Sequence, residues 1–452
     1  MTIRRTLVAW TAVVLAALVA RAAPDVAPGS EQAGWRIAVR CDRENGLYAA
    51  GDPIVFTVQV ARDDKPPEQP VTVDYTILLN GKQEIERKTL TLESGAATVR
   101  TQRSEPGCLI LAAACRPADS VTIKAEVGAA VESEKLAPSL PMPDDFDAFW
   151  AAQKQRLAET PMDVQWTRVE VPDVPWAAEV ECFEVRADVP KPWAAVTGYF
   201  ARPKDAKARS CPAWISFHGA GARSATLATV AGRAKHYGML GMEINAHGLP
   251  NGRPEQFYKD QLEGDLKGYA FRGNDLRDTC YFLGMYLRLA RAVEFLCAQD
   301  AWDGRTVIAS GSSQGGAQAL VAAGLDSRVT IVSAGVPALC DLAGPAAGRA
   351  SGWPLGPRDL SDAQMQAMRY FDVCHFAART RATAVVRIGL VDRTCWAAGT
   401  LAMANQLKGP KHIITSPLSG HAWSPPTAYA QAQALFNELL ARCRQPQQPP
   451  TP

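Results

Sequence analysis

Gly311, Ser313 and Gly315 lie in the stretch Gly311-Ser312-Ser313-Gln314-Gly315-Gly316, which has the spacing Gly-x-Ser-x-Gly. A serine hydroxyl is a weak nucleophile at its own pKa, so acyl chemistry needs it raised on a sharp turn where a base can reach it. Residues 307–310 read as a short apolar strand before the turn, and residues 317–324 read as an Ala-rich helix after it. The flanking small residues permit the turn, and the helix N-terminus aims its N–H groups at the place where an oxyanion would form. Ser313 is therefore the candidate nucleophile.

Such an elbow requires an acid after a later strand and then a histidine in a loop near the C-terminus. The run 384–391 reads as a buried strand, and Asp392 follows it on the side where open parallel sheets carry their sites. Residues 413–416 read as the next strand, followed by the loop Pro417-Leu418-Ser419-Gly420-His421. Of the six histidines, only His412 and His421 come after Asp392, and His412 opens a strand, so His421 is the candidate base. Taken alone, an Asp after a strand reads as a turn or cap residue and a loop His as a surface residue. Their order after Ser313 favours a catalytic reading.

The oxyanion hole of such a turn uses the backbone N–H after the nucleophile, here Gln314, and one from the loop after an earlier strand. Residues 211–217 read as that strand and lead into His218-Gly219-Ala220-Gly221, so the second donor is assigned to Ala220. Gly219-x-Gly221 after a strand also suggests dinucleotide binding, but position 224 is Ser, so the three-glycine fingerprint fails. No cofactor and no metal site is expected.

The elements that must position these groups form two units. Residues 35–135 hold short alternating stretches such as Ile54-Val55-Phe56-Thr57-Val58-Gln59-Val60, separated by turn signals such as Asn80-Gly81. This pattern predicts an immunoglobulin-like β-sandwich. Pro138, Pro141 and Pro143 mark a linker, at which the units are expected to separate with activity kept by the second. Residues 140–442 start with a helix at Asp144-Asp145-Phe146 and then alternate strands and helices, which predicts an α/β domain with a mostly parallel sheet covered on both faces. The Pro/Gln-rich tail 445–452 is expected to be disordered.

The 452 residues include 48 basic and 46 acidic side chains, a net charge of +2. That balance argues for neither nucleic acid nor an anionic membrane as a partner. Arg4-Arg5, the apolar run 7–20 and the small-residue site Ala20-Arg21-Ala22 read as a signal peptide over 1–22, which implies a secreted or periplasmic protein with no membrane anchor after processing. Eleven cysteines leave at least one unpaired within a chain, and they form no Cys-x-x-Cys. Cys108 and Cys115 are seven positions apart, so on one strand they face opposite sides and cannot pair there.

As a set, Asp145-Phe146-Asp147-x-Phe149-Trp150, Asn245-Ala246-His247-Gly248-Leu249-Pro250-Asn251-Gly252, Arg272-Gly273, Gly311-x-Ser313-Gln314-Gly315-Gly316 and Gly389-x-x-Asp392-x-x-Cys395 resemble the acetylxylan esterase and cephalosporin C deacetylase family of α/β-hydrolases. The resemblance covers about residues 140–440. It implies the α/β-hydrolase fold, a Ser313–His421–Asp392 triad, acetylated oligosaccharides or polysaccharides as substrate, no metal and a homo-oligomer. The sandwich is similar to an extension found in secreted members. Three positions depart from the family pattern: Ala220 stands where Tyr is frequent, Trp396-Ala397 where Pro-Pro is frequent, and Arg288 where an Asp is common. Trp396 presents a flat apolar ring near the acid, and a sugar-stacking role and a packing role are both open to it.

A serine peptidase is a rival enzyme reading, but peptidases of this fold usually carry a β-propeller, for which the N-terminal region is too short. A non-catalytic glycan-binding protein is the rival from another class, and an intact Ser, Asp and His argue against it.

Overall fold

The computed structural model describes residues 27–444, except 28, 173 and 357–359. The signal peptide read over 1–22 and the tail read over 445–452 lie outside the described residues. Among the described residues no helix is long and apolar enough to cross a membrane.

Two sheets form the N-terminal unit. One runs β1 (Glu31–Gln32), β2 (Trp35–Cys41), β4 (Pro53–Arg62), β7 (Ala96–Gln102), and the other β3 (Leu47–Tyr48), β9 (Val121–Val131), β8 (Gly107–Ala118), β5 (Val71–Leu79), β6 (Gln83–Leu92). Strict alternation makes the sandwich: in β5, Val71, Val73, Tyr75, Ile77 and Leu79 are all buried while Thr72 and Asp74 are exposed. Ile37, Phe56 and Val58 of the first sheet share one core with Val73, Leu111 and Val127 of the second. The chain leaves β2 in the first sheet and crosses to the second as β3, which pairs in parallel with the last strand β9. This crossing is the immunoglobulin arrangement.

The second unit is a sheet in the order β10 (Gln165–Val169), β11 (Val180–Ala187), β12 (Val196–Pro203), β14 (Leu240–Ile244), β13 (Cys211–Phe217), β15 (Trp302–Ser312), β16 (Ile331–Gly335), β17 (Thr383–Gly389), β18 (Lys411–Ser416). Strands β10 to β12 and β14 pair antiparallel, and from β14 through β18 every pair is parallel. The helices are α1 (Phe146–Glu159), α2 (Leu227–Tyr237), α3 (Glu255–Glu263), α4 (Tyr281–Cys297), α5 (Gln314–Leu325), α6 (Asp362–Met368), α7 (Val373–Ala377), α8 (Ala397–Gln406) and α9 (Pro426–Arg444). Helices α1, α4, α5, α7 and α8 build the large core on one face, while α2 and α9 cover the other. Coverage on both faces explains why central strands such as β14 are buried along their whole length. The result is an α/β-hydrolase fold.

Helix α1 is an aromatic anchor. Phe146, Phe149 and Trp150 pack edge-on against Tyr370, Phe371 and Phe376, and the Trp150 indole N–H donates to the Tyr370 carbonyl at 3.0 Å. All eleven cysteines are unpaired. Cys108 and Cys115 do face opposite sides of β8: the first joins the large hydrolase core and the second the sandwich core.

The packing between the two units argues against their separating freely. A Cβ added to Gly128 of β9 would lie 2.4 Å from the Leu390 Cβ, so the sandwich sheet lies directly on the loop after β17. The Gly128 N–H donates to the Pro417 carbonyl at 2.8 Å, and Glu126 pairs with Arg393 at 2.6 Å. The presumed linker is itself tied down: Ser139 donates twice to the Asp341 carboxylate, at 2.6 and 2.7 Å, and Asn405 donates to the Ser133 and Leu136 carbonyls. Proline composition signals an irregular backbone, not an absence of tertiary partners. A chain starting at residue 139 is expected to lose about 5 °C or more in Tm and to hydrolyse p-nitrophenyl acetate more slowly, because the acid loop loses its cover. Unchanged Tm and turnover in that fragment would show that the sandwich is an appendage.

Candidate active site

Strand β15 ends at Ser312 and α5 begins at Gln314, leaving Ser313 alone in the turn with φ 57° and ψ −124°. This backbone is rare for a residue with a side chain, and close packing imposes it. A Cβ on Gly311 would meet the Gly315 backbone at 2.4 Å, and one on Gly315 would meet the Phe217 carbonyl oxygen at 2.1 Å. The Ser313 N–H donates to the Gly335 carbonyl at 2.9 Å, fixing the turn to β16.

Asp392 lies three residues beyond β17 and is 1 % exposed. One carboxylate oxygen accepts from the backbone N–H groups of Thr394 and Cys395, both at 2.8 Å. The other bonds to His421 Nδ1 at 2.8 Å, and His421 Nε2 lies 3.0 Å from Ser313 Oγ. The two residues before the histidine complete its loop: Ser419 is buried, and Gly420 N–H donates to the Trp423 carbonyl. Ser313, His421 and Asp392 thus form one continuous hydrogen-bonded series, with the carboxylate oriented by backbone so that its free oxygen meets the imidazole.

The oxyanion side is built around His218, a residue not singled out in the sequence except as the start of the glycine loop. Its Nε2 accepts from the Ala246 N–H at 3.1 Å, so Nδ1 carries the proton and donates to the Gly219 carbonyl at 2.8 Å. In a trans peptide the next N–H points opposite to that carbonyl, so this bond turns the Ala220 N–H away from the His218 ring. Gly219 runs beside the nucleophile, since a Cβ there would lie 3.9 Å from Ser313 Cβ. Among the described residues neither the Ala220 nor the Gln314 N–H has a protein acceptor. Burial pushes His218 down to about 4 and His247 down to about 3, so both stay neutral at neutral pH and keep their fixed tautomers.

Tyr269 packs between the two sides. Its hydroxyl donates to Gln314 Oε1 at 2.5 Å, and its ring stands edge-on to His247, whose Nε2 donates to the Gly221 carbonyl at 3.3 Å. No local signal marks this residue, which is 45 positions from Gln314 in sequence. Arg288, 3 % exposed, donates to the Ala246 and Ala194 carbonyls, so the departure from an acidic residue there supplies a brace behind His218.

Burial together with the Asp392 charge raises the Cys395 thiol's pKa, so the group stays protonated. Donor atoms of Asp392, Cys395 and His421 fall within 4.8 Å of one another, a grouping that could attract a metal ion. Both imidazole nitrogens are already engaged by Asp392 and Ser313, which fits the proton relay and not a metal ligand set.

Trp396 does not present a free ring face. A Cβ on Gly81 at the β5–β6 turn would sit 2.4 Å from the indole, and the Arg393 guanidinium stands 5.9 Å from its centroid. The sandwich therefore packs against the half-buried ring, a contact made by a turn distant in sequence.

A family model described as acetyl xylan esterase matches residues 132–345 and 356–437. The chain belongs to the acetyl xylan esterase family. It is 32 % identical over 311 residues to acetyl esterase Axe7A of Xylanibacter ruminicola, covering 68 % of this chain and 70 % of that one. An acetyl xylan esterase from Paenibacillus sp. R4 superposes with a TM-score of 0.58 at 26 % identity, over 68 % of this chain and 98 % of that one. Acetyl xylan esterase 1 from a Thermoanaerobacterium species shares the fold, with a TM-score of 0.57 at 21 % identity over 68 % of this chain and 98 % of that one. This family member is a carboxylic ester hydrolase.

Two substitutions test the assignments around the relay. Tyr269→Phe is expected to lower kcat on p-nitrophenyl acetate about 10- to 100-fold with KM little changed, because Gln314, whose N–H is assigned to the oxyanion, loses the hydrogen bond that holds its side chain. An unchanged kcat would reduce Tyr269 to packing. Trp396→Ala is expected to lower Tm and to slow p-nitrophenyl acetate and acetylated xylan alike, whereas a KM increase confined to xylan would restore the sugar-stacking role.

Proposed function

We propose that this protein is an exported esterase that removes acetyl groups from acetylated xylan or related cell-wall oligosaccharides through an acyl-enzyme on Ser313. The observation that carries this reading is the continuous series Ser313 Oγ, His421 Nε2, His421 Nδ1 and Asp392, with distances of 3.0 and 2.8 Å. Ser313 Oγ attacks the acetyl carbonyl carbon while His421 Nε2 takes its proton. Negative charge grows on the carbonyl oxygen and is met by the Gln314 and Ala220 N–H groups. The Asp392 carboxylate, held by two backbone donors, stabilises the imidazolium that forms. His421 then returns the proton to the departing sugar oxygen, activates water by the same nitrogen, and releases acetate.

Acetylated xylan as substrate is supported by family membership and by the names of the relatives. Export is supported by Arg4-Arg5 and the apolar run that follows, a pattern with which secreted chains begin. Homo-oligomerisation rests on the family resemblance alone.

The decisive experiment measures acetate release from acetylated xylan, mannan, pectin and small acetylated sugars, with Ser313→Ala as control. The variant is expected to lose turnover on the order of a million-fold while keeping its Tm, since a single oxygen at a half-buried turn is removed. A tenth of wild-type activity remaining in that variant would exclude Ser313 as the nucleophile. Retention on insoluble xylan without any acetate release by the unmodified protein would favour a binding role.

A further inference from the structure

Arg387 points to the α9 side of the sheet, away from the catalytic core, because its neighbours Val386 and Ile388 face that core. Its partner across the ladder is Gly335, and a Cβ there would meet the guanidinium at 2.7 Å, so the glycine leaves room for it in this position. The guanidinium borders a partly open cavity of about 280 Å³ between β15, β16, β17 and α9. Ser310, Ser312 and Ser333 line the sheet wall, and Tyr429, Gln433 and Phe436 line the helix wall. A second, smaller hollow shares Arg387 and adds Ser416, Ser419 and Ser424, with the Ser419 hydroxyl buried and unpartnered.

No acidic residue lines either space. Among the described residues no carboxylate pairs with Arg387 and its guanidinium donates no hydrogen bond; its one charge-compensating contact is the Tyr429 ring, 5.0 Å from the guanidinium carbon. Burial disfavours its charge, yet a guanidinium does not give up its proton in a protein. A partly buried cation facing serine hydroxyls, with five donors and no acceptor, is an incomplete ion pair. The first turn of the 19-residue helix α9, where Tyr429 lies, adds the positive end of a helix dipole on the same side. Tyr429 and Gln433 are one helical turn apart and both exposed, which leaves an opening to solvent between them.

We infer that this cavity binds a small oxyanion, a carboxylate such as acetate or inorganic phosphate, with Arg387 as its fork-shaped ligand and Ser310, Ser333 and Gln433 completing the hydrogen bonds. The volume suits an ion of a few heavy atoms with some water and is too small for an oligosaccharide. Its floor supports the nucleophile turn: the Gly335 carbonyl that accepts from the Ser313 N–H also accepts from Ser312 Oγ, and Val336 N–H donates to the Arg387 carbonyl. An anion on Arg387 therefore tightens the strands under Ser313 without entering the catalytic pocket.

The test titrates the full protein with sodium phosphate and, separately, sodium acetate, at ionic strength held constant with chloride. Saturable one-to-one binding by calorimetry is expected for at least one anion, with Tm raised on the order of 2 °C near saturation and KM for p-nitrophenyl acetate unchanged. The tighter of the two names the source. Arg387→Gln is expected to weaken binding at least tenfold. Gln433→Glu, at an exposed position, places a carboxylate beside the guanidinium and is expected to abolish binding while raising Tm in the absence of anion. Lack of saturable binding in the wild type, equal binding by both variants, or competition of the anion with the ester would each overturn the site. Excluded-ion stabilisation by phosphate is separated because it would raise Tm equally in wild type and variants.

Discussion

Ser313 is held at φ 57° by backbone that passes too close for any side chain at Gly311 and Gly315, and the rest of the site depends on that crowding. The conformation costs free energy in isolation, and the central strands repay it because each is buried on both faces and cannot move. Phe217 at the end of β13 presses on Gly315, and Gly335 at the end of β16 receives the Ser313 N–H. The nucleophile's position is therefore a property of three adjacent strands. The glycine loop after β13 and the acid loop after β17 reach the same spot because they leave the same edge of the same sheet.

Rigidity on the two sides of the nucleophile comes from different sources. On the oxyanion side, neutral buried rings hold their neighbours by hydrogen bonds: His218 to the Gly219 carbonyl, His247 to the Gly221 carbonyl, and Tyr269 to the Gln314 side chain. Desolvation keeps His218 and His247 neutral, and neutrality is what lets each ring donate with one nitrogen and accept with the other. On the acid side, cover comes from outside the hydrolase unit. Leu390 lies under Gly128 and Gly46, Arg393 pairs with Glu126, and Trp396 lies under Gly81, so the segment bearing Asp392 is clamped by the sandwich. An exposed ion pair such as Arg393–Glu126 adds little by itself, and the apolar contacts at Leu390 and Trp396 are the larger share of the clamp.

The chain's local patterns were enough to state the two strand-rich units, the nucleophile turn, and the order of Ser313, Asp392 and His421, because each rests on short-range spacing: alternation of period two, glycines around a turn, a charged residue just past an apolar run. The opposite-facing cysteines at 108 and 115 followed from the same alternation. Tertiary structure alone decided what lies between elements far apart in sequence. Tyr269 meets Gln314, Arg288 braces Ala246, Gly81 covers Trp396, and Ser139 ties the proline-rich segment to Asp341. Proline content and aromatic surface describe what the 138–143 segment and Trp396 can do alone, whereas the packing of the sandwich onto the acid loop is a long-range contact that leaves no local periodicity. Spacing along the chain determines which groups a turn or strand presents, and only the folded sheet order determines which distant groups meet them.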